Sequence, residues 1–232
     1  MARRFEPLHS PDDFPTPPWA TRALFAHVLG DDVPLRRMSC LEPACGAGHM
    51  AVVLKEYFES ADATDAYDYG YGDVRDFLLE PYRAGSYDWV ITNPPFRLAQ
   101  EFVIRGLQVA RIGLAIVART TFLESVGRYE AIFREKPLAI FAQFTERVPM
   151  LKGRLDPKAS TATGYAWFVW RKDISIVPRL MWVRPCRKAL ERPEDYHGTP
   201  ADRTTNTPSL QPGRPDPAGT GESARLPLFD GF

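Results

Sequence analysis

Residues 38–68, MSCLEPACGAGHMAVVLKEYFESADATDAYD, decide the fold. MSCLEP (38–43) is a short apolar strand, and Gly46 and Gly48 punctuate a turn. HMAVVLKEYF (49–58) carries the apolar spacing of a helix, and ADATDAYD (61–68) is a second strand that ends in acids. Glycines in such a turn let the backbone approach a ligand, and the following helix aims its first amides at a carboxylate or phosphate. The same pattern also serves as a tight turn without a ligand, so the glycines alone do not name a function. Asp65, at the end of the second strand, adds a carboxylate able to take both hydroxyls of a ribose, with Asp68 as a rival for that role.

The alternation continues outward. YDWVIT (87–92), IGLAIVA (112–118) and LAIFAQF (138–144) read as strands, separated by the helices LAQEFVIRGLQVA (98–110) and FLESVGRYEAIFRE (122–135). Upstream, WATRALFAHVL (19–29) is a helix whose start is fixed by PTPP. GYAWFVWRK (164–172) follows a polar loop with no helix between, so it is expected to return antiparallel beside 138–144. The expected fold is α/β: a mostly parallel, Rossmann-like sheet with an antiparallel C-terminal hairpin strand and helices on both faces. One domain is expected over 1–184. From 185 to 232 the chain turns rich in Pro, Gly and Thr and reads as a disordered tail, apolar again only at its end, RLPLFDGF.

Composition excludes more than it identifies. Of 232 residues, 44% are hydrophobic and 25% charged, with a formal net charge of zero, which suits a globular domain and leaves only a local basic face for nucleic acid. LAIVA (114–118) is too short to span a bilayer, and MARRFEPLHSPDDF has no apolar core of a signal sequence. Three cysteines, Cys40, Cys45 and Cys186, show neither metal-ligand spacing nor an even count. A reducing, cytoplasmic protein without metal or membrane is expected.

Chemistry centres on Asn93-Pro94-Pro95-Phe96, immediately after the strand YDWVIT and at the carboxyl end of the sheet, where open α/β folds bind ligands. Consecutive prolines fix the backbone and remove amide donors, so the side-chain carbonyl of Asn93 and the carbonyl of Pro94 can converge as acceptors. Phe96 offers a flat apolar face beside them. The alternative is a rigid strand-exit turn with Phe96 in the core.

With the glycine turn upstream, this order of motifs resembles the adenine-N6 DNA methyltransferases that place their cofactor motifs before the catalytic one. The resemblance covers about residues 10–172 and implies S-adenosylmethionine as cofactor and DNA as partner. It places Thr16 and Pro17 of FPTPPW, Glu42, Pro43, Cys45, Gly46 and Gly48 of EPACGAG, Asp65, Asp76 and Phe77, and Asn93 around the cofactor. It makes Asn93, Pro94, Pro95 and Phe96 catalytic. The target base, which cannot be reached inside a duplex, would flip out and stack on Phe96. Its other face would meet Tyr165, with Phe144 and Trp167 as alternatives; alternation along the strand equally allows these aromatics to be core. Arg147, Lys152, Arg154 and Lys158, in the loop ERVPMLKGRLDPKAS, are candidate phosphate contacts. Arg225, Leu226, Leu228 and Phe229 resemble a sliding-clamp-binding peptide, with Arg225 and Pro227 departing from its usual form. RNA adenine and protein glutamine are rival acceptors for the same tetrapeptide chemistry. His49, at the first turn of its helix, is read as structural.

Overall fold

The structure, a computed structural model, describes residues 12–30, 34–172, 177–198 and 200. The tail peptide at Arg225, Leu226, Leu228 and Phe229 lies outside the described residues. Eight strands form one sheet among them: β1 (Ser39–Glu42), β2 (Ser60–Asp65), β3 (Asp73–Val74), β4 (Tyr87–Thr92), β5 (Ala110–Arg119), β6 (Ile140–Phe144), β7 (Tyr165–Arg171) and β8 (Arg179–Val183), in the order β3-β2-β1-β4-β5-β7-β6-β8. Only β7 runs antiparallel to its neighbours, pairing with both β5 and β6. The expected hairpin partner is therefore there, and β7 also fills the slot that the β5-to-β6 crossover leaves open.

Burial follows the strand period. Tyr165, Trp167 and Val169 of β7 join a core beneath α1 (Pro18–Leu24) and α2 (His49–Tyr57). Ala166, Phe168 and Trp170 point to the opposite core, under α3 (Ala99–Val109). A strand buried on both faces has to be apolar throughout, as YAWFVW is. Trp167 anchors its face by donating its indole N–H to the Ala20 carbonyl at 3.0 Å.

Three expectations change in the structure. The helix expected over 122–135 is broken into a 3-10 turn (Thr120–Leu123), a single α turn, α4 (Val126–Arg128), and a π turn (Tyr129–Phe133). Ser125 sits at a φ of 115°, a conformation that interrupts a right-handed helix, and Gly127 adds backbone freedom next to it. The second strand stops at Asp65 rather than 68, because both Asp65 carboxylate oxygens accept backbone amides, from Gly46 at 2.9 Å and Tyr67 at 3.0 Å, and turn the chain. Ordered elements also follow β7, one strand before 184 and two short turns after it. The edge strand β8 begins just after Pro178, which an edge tolerates. Residues 187–190 (α5, Arg187–Leu190) and a 3-10 turn (Pro193–Tyr196) then pack back on α1 and α2. Asp195, 4% exposed, meets Arg22 there. No helix among the described residues is long and apolar enough to cross a membrane.

Candidate functional site

The carboxyl ends of β1, β2 and β4 open into a cavity of about 360 Å³, within the usual range for a small-molecule site. The turn before α2 lines it through Gly46 and Ala47, with Gly48 behind them. Gly48 caps α2 at φ 90°, and a Cβ there would lie 2.5 Å from the Tyr71 ring, so both conformation and space demand glycine. Tyr71 is held by Lys55, whose ammonium donates to its hydroxyl at 3.0 Å.

Thr16, Glu42, Pro43, Cys45, Gly46, Asp65, Asp76, Phe77, Asn93 and Pro95 all line this cavity. Asp68 is exposed in the next turn, accepting the Gly70 amide at 2.8 Å, so of the two rivals Asp65 is the one facing the cavity. Pro17 stands behind the wall as the residue that caps α1. Phe77 is buried against Tyr82 and Phe102 and supplies an apolar wall.

Three cavity-lining atoms, Thr16 Oγ1, Glu42 Oε2 and Asn93 Oδ1, are buried with no hydrogen-bond partner among the described residues. The Trp19 and Trp89 indoles, Thr21, Thr92 and Arg105 Nε share that state elsewhere, whereas these three belong to residues that line one cavity. A buried polar atom costs stability unless something bonds it, so their convergence marks a ligand's position. Burial, with Asp65 adding repulsion, pushes the Glu42 carboxyl well above its usual range. Asp13 and Asp65 are also pushed up, each mainly by burial. Asp12, Asp13, Glu42, Asp65 and Asp76 give the cavity five carboxylates, a setting suited to a ligand that carries positive charge.

Asn93 stands one residue beyond β4, and its amide orientation is fixed. Nδ2 donates to the Phe14 carbonyl at 2.7 Å, which leaves Oδ1 a buried acceptor without a partner among the described residues. Pro95's carbonyl takes the Leu98 amide at 2.9 Å, so the acceptor that the proline pair can still offer is that of Pro94. The Phe96 amide donates to Asp12 at 2.7 Å, and its ring is flanked by Phe14, 5.1 Å between centroids, and by the Arg119 guanidinium, 4.2 Å from the centroid.

Residues 12–17 therefore lie across the tetrapeptide, and they are tied to the basic loop by the Gly153 amide, which donates to the Asp13 carbonyl at 2.9 Å. Within that loop Arg154 and Lys158 are exposed, Lys152 is half-buried and its charge acts on Asp13, and Arg147 donates to the Ala162 carbonyl at 3.0 Å. Tyr165, 3% exposed, belongs to the core together with Phe144 and Trp167 and does not line the cavity; it stands in register opposite Arg119. Asp12, Asp13, Phe14 and Arg119 are contributors that the sequence does not single out. The acids directly precede FPTPPW, which is the one signal that they could share its place. His49 also borders the cavity, at the first turn of α2.

No protein-family model and no curated protein matches the chain. Solved structures do. A Listeria monocytogenes protein assigned as a class I S-adenosylmethionine-dependent methyltransferase superposes with a TM-score of 0.55 at 12% identity, over 80% of this chain and 69% of its own. The fold is that of the class I methyltransferases. A Pyrococcus horikoshii protein assigned as an RNA methyltransferase shares it at a TM-score of 0.52 and 12% identity, over 75% of this chain and 95% of that one. The modification subunit assigned to a type I restriction enzyme of Vibrio vulnificus YJ016 does so at 0.50 and 18%, over 72% of this chain and 47% of that one. In this fold the open carboxyl end of the sheet is where the cavity and Asn93 lie.

Proposed function

We propose that this protein transfers a methyl group from S-adenosylmethionine to the N6 amino group of adenine in DNA. The observation that carries the proposal is Asn93 Oδ1, a buried acceptor with its amide orientation locked by Phe14, at the edge of an acid-lined cavity. The residues present fit the cofactor. Glu42 Oε2 would take its ammonium, the Thr16 hydroxyl and the first amides of α2 its carboxylate, and Asp65 its ribose hydroxyls. When bound, S-adenosylmethionine supplies a methyl group made electrophilic by its sulfonium.

The chain's own task is to make a poor nucleophile reactive. Adenine's amino lone pair is delocalised into the ring. If Asn93 Oδ1 and the Pro94 carbonyl each accept one N6 hydrogen, the nitrogen is held pyramidal with its lone pair aimed out of the ring plane. The N6 proton becomes acidic only as the new N–C bond forms and the methyl–sulfur bond breaks, and it then passes to water, so no strong base has to act beforehand. Phe96 receives the flipped base by stacking, which offsets part of the cost of unstacking it from the duplex. Arg154 and Lys158, exposed on the loop tied to residues 12–17, would meet phosphates.

DNA is favoured by the ordered set of segments from FPTPPW through EPACGAG and Asp65 to the aromatic strand at Tyr165. The test is transfer of tritiated methyl from labelled cofactor to duplex DNA, single-stranded DNA, RNA and protein in parallel. Label in duplex DNA is the expected result, and label confined to RNA or protein would overturn the assignment of substrate.

A further inference from the structure

On the adenine reading above, on which this inference rests, the flipped base needs the face of Phe96, and that face has a resident. The Arg119 guanidinium carbon lies 4.2 Å from the ring centroid. Arg119 is the last residue of β5 and stands in register opposite Tyr165 of β7, on whose buried phenol its charge acts. The ring cannot easily turn away, because Asp12 holds the Phe96 amide and Phe14 packs against the ring at 42°. A planar, delocalised cation on an aromatic face imitates a stacked base in shape and in the area it covers.

We propose that Arg119 holds the place of the target base on Phe96 and is displaced by it. A stacked base gains more on an aromatic face than an exposed guanidinium does, so the exchange favours the base while still opposing it. Purines, with the larger stacking surface, displace the guanidinium better than pyrimidines do. Arg119 in this sense raises, for every base alike, the threshold to be passed before Asn93 is reached, and the stacking surface of the base decides which pass it.

The experiment measures KM for mixed-sequence duplex DNA in the wild type, Arg119→Met, Phe96→Leu and the double variant, with Kd by fluorescence anisotropy where turnover is too slow. Methionine keeps the stem and removes the charge and the plane. Arg119→Met is expected to lower KM about two- to fivefold, the size of an exposed cation–π contact, and to have no such effect once Phe96 is Leu. A rise in KM with a shallower salt dependence would make Arg119 a phosphate contact instead and overturn the proposal. So would an unchanged KM, or a fall in KM that persists without the Phe96 ring. Wild-type protein that labels no adenine contradicts the parent reading and this one with it. Label in the wild type with an unmoved KM contradicts this one alone.

Discussion

Two regions of this molecule bury charge in opposite ways. Where α1, α2 and the segment after β8 meet, Arg22 is 4% exposed and fully engaged: it donates to both Asp195 oxygens at 2.8 and 3.0 Å, to Glu56 at 2.9 Å and to the Leu190 carbonyl at 3.0 Å. Glu56 in turn takes Arg192 at 3.0 and 2.9 Å. At the carboxyl ends of β1 and β4, Glu42 is 2% exposed, yet its Oε2 and Asn93 Oδ1 find no partner among the described residues. Both regions obey the rule that a buried polar group must be bonded. In the corner the chain itself supplies the partner, and the result is stability. At the sheet's open end the described residues leave acceptors open beside a cavity, as a ligand site requires.

Substitutions should separate the two. Arg22→Met leaves Asp195 buried and uncompensated, and is expected to cost about 3–5 kcal/mol in urea unfolding while cofactor affinity per folded molecule stays put. A cost below about 1 kcal/mol would mean that the corner behaves as a surface ion pair, and the comparison would break there. Asn93→Ala is the mirror case. It removes one acceptor from the reacting nitrogen and is expected to slow methyl transfer about 10²–10³-fold, while unfolding costs only about 1 kcal/mol, the one hydrogen bond that Nδ2 gives the Phe14 carbonyl. A large loss of stability with activity retained would assign Asn93 to the core.

Glu42→Gln sharpens the contrast further, because the same change should help one property and harm another. Relieved of a buried charge, the cofactor-free protein is expected to gain about 2–4 °C in Tm while cofactor affinity falls roughly tenfold. The pH dependence follows from the raised carboxyl of Glu42. The folded protein holds that proton more tightly than the unfolded chain, so the stabilisation is present at acid pH and is lost as pH rises from 4.5 through the higher folded value. Cofactor affinity runs the other way, rising with pH over the same window, because an ammonium favours the ionised carboxylate. Isothermal titration and thermal unfolding between pH 4.5 and 8 measure both slopes, and Gln at position 42 should flatten them.

The two regions were also unequally legible. Period and punctuation place β1, α2, β4, α3, β5, β6 and β7, because each buries an apolar face whose spacing is set by local geometry. The same reading finds Gly46, Asp65 and Asn93, since turns at strand ends carry their residue types openly, and the family resemblance adds Glu42; all four line the cavity. The Arg22–Glu56–Asp195 corner joins residues 34 and 173 positions apart, and nothing local marks such a meeting. Its C-terminal half, in a stretch rich in proline and charge, reads as linker because partnered and solvated charges look alike in sequence. Asp12 and Arg119 escaped notice for the same reason: one bonds a backbone amide and the other covers a ring, both through space.

The most direct test of the central claim is the identity of the product. Duplex DNA incubated with the protein and S-adenosylmethionine, digested to nucleosides and analysed by mass spectrometry, should contain N6-methyldeoxyadenosine, and Asn93→Ala protein should leave the DNA at background. A methyl group found on cytosine, or absent from DNA while present on another acceptor, would contradict it.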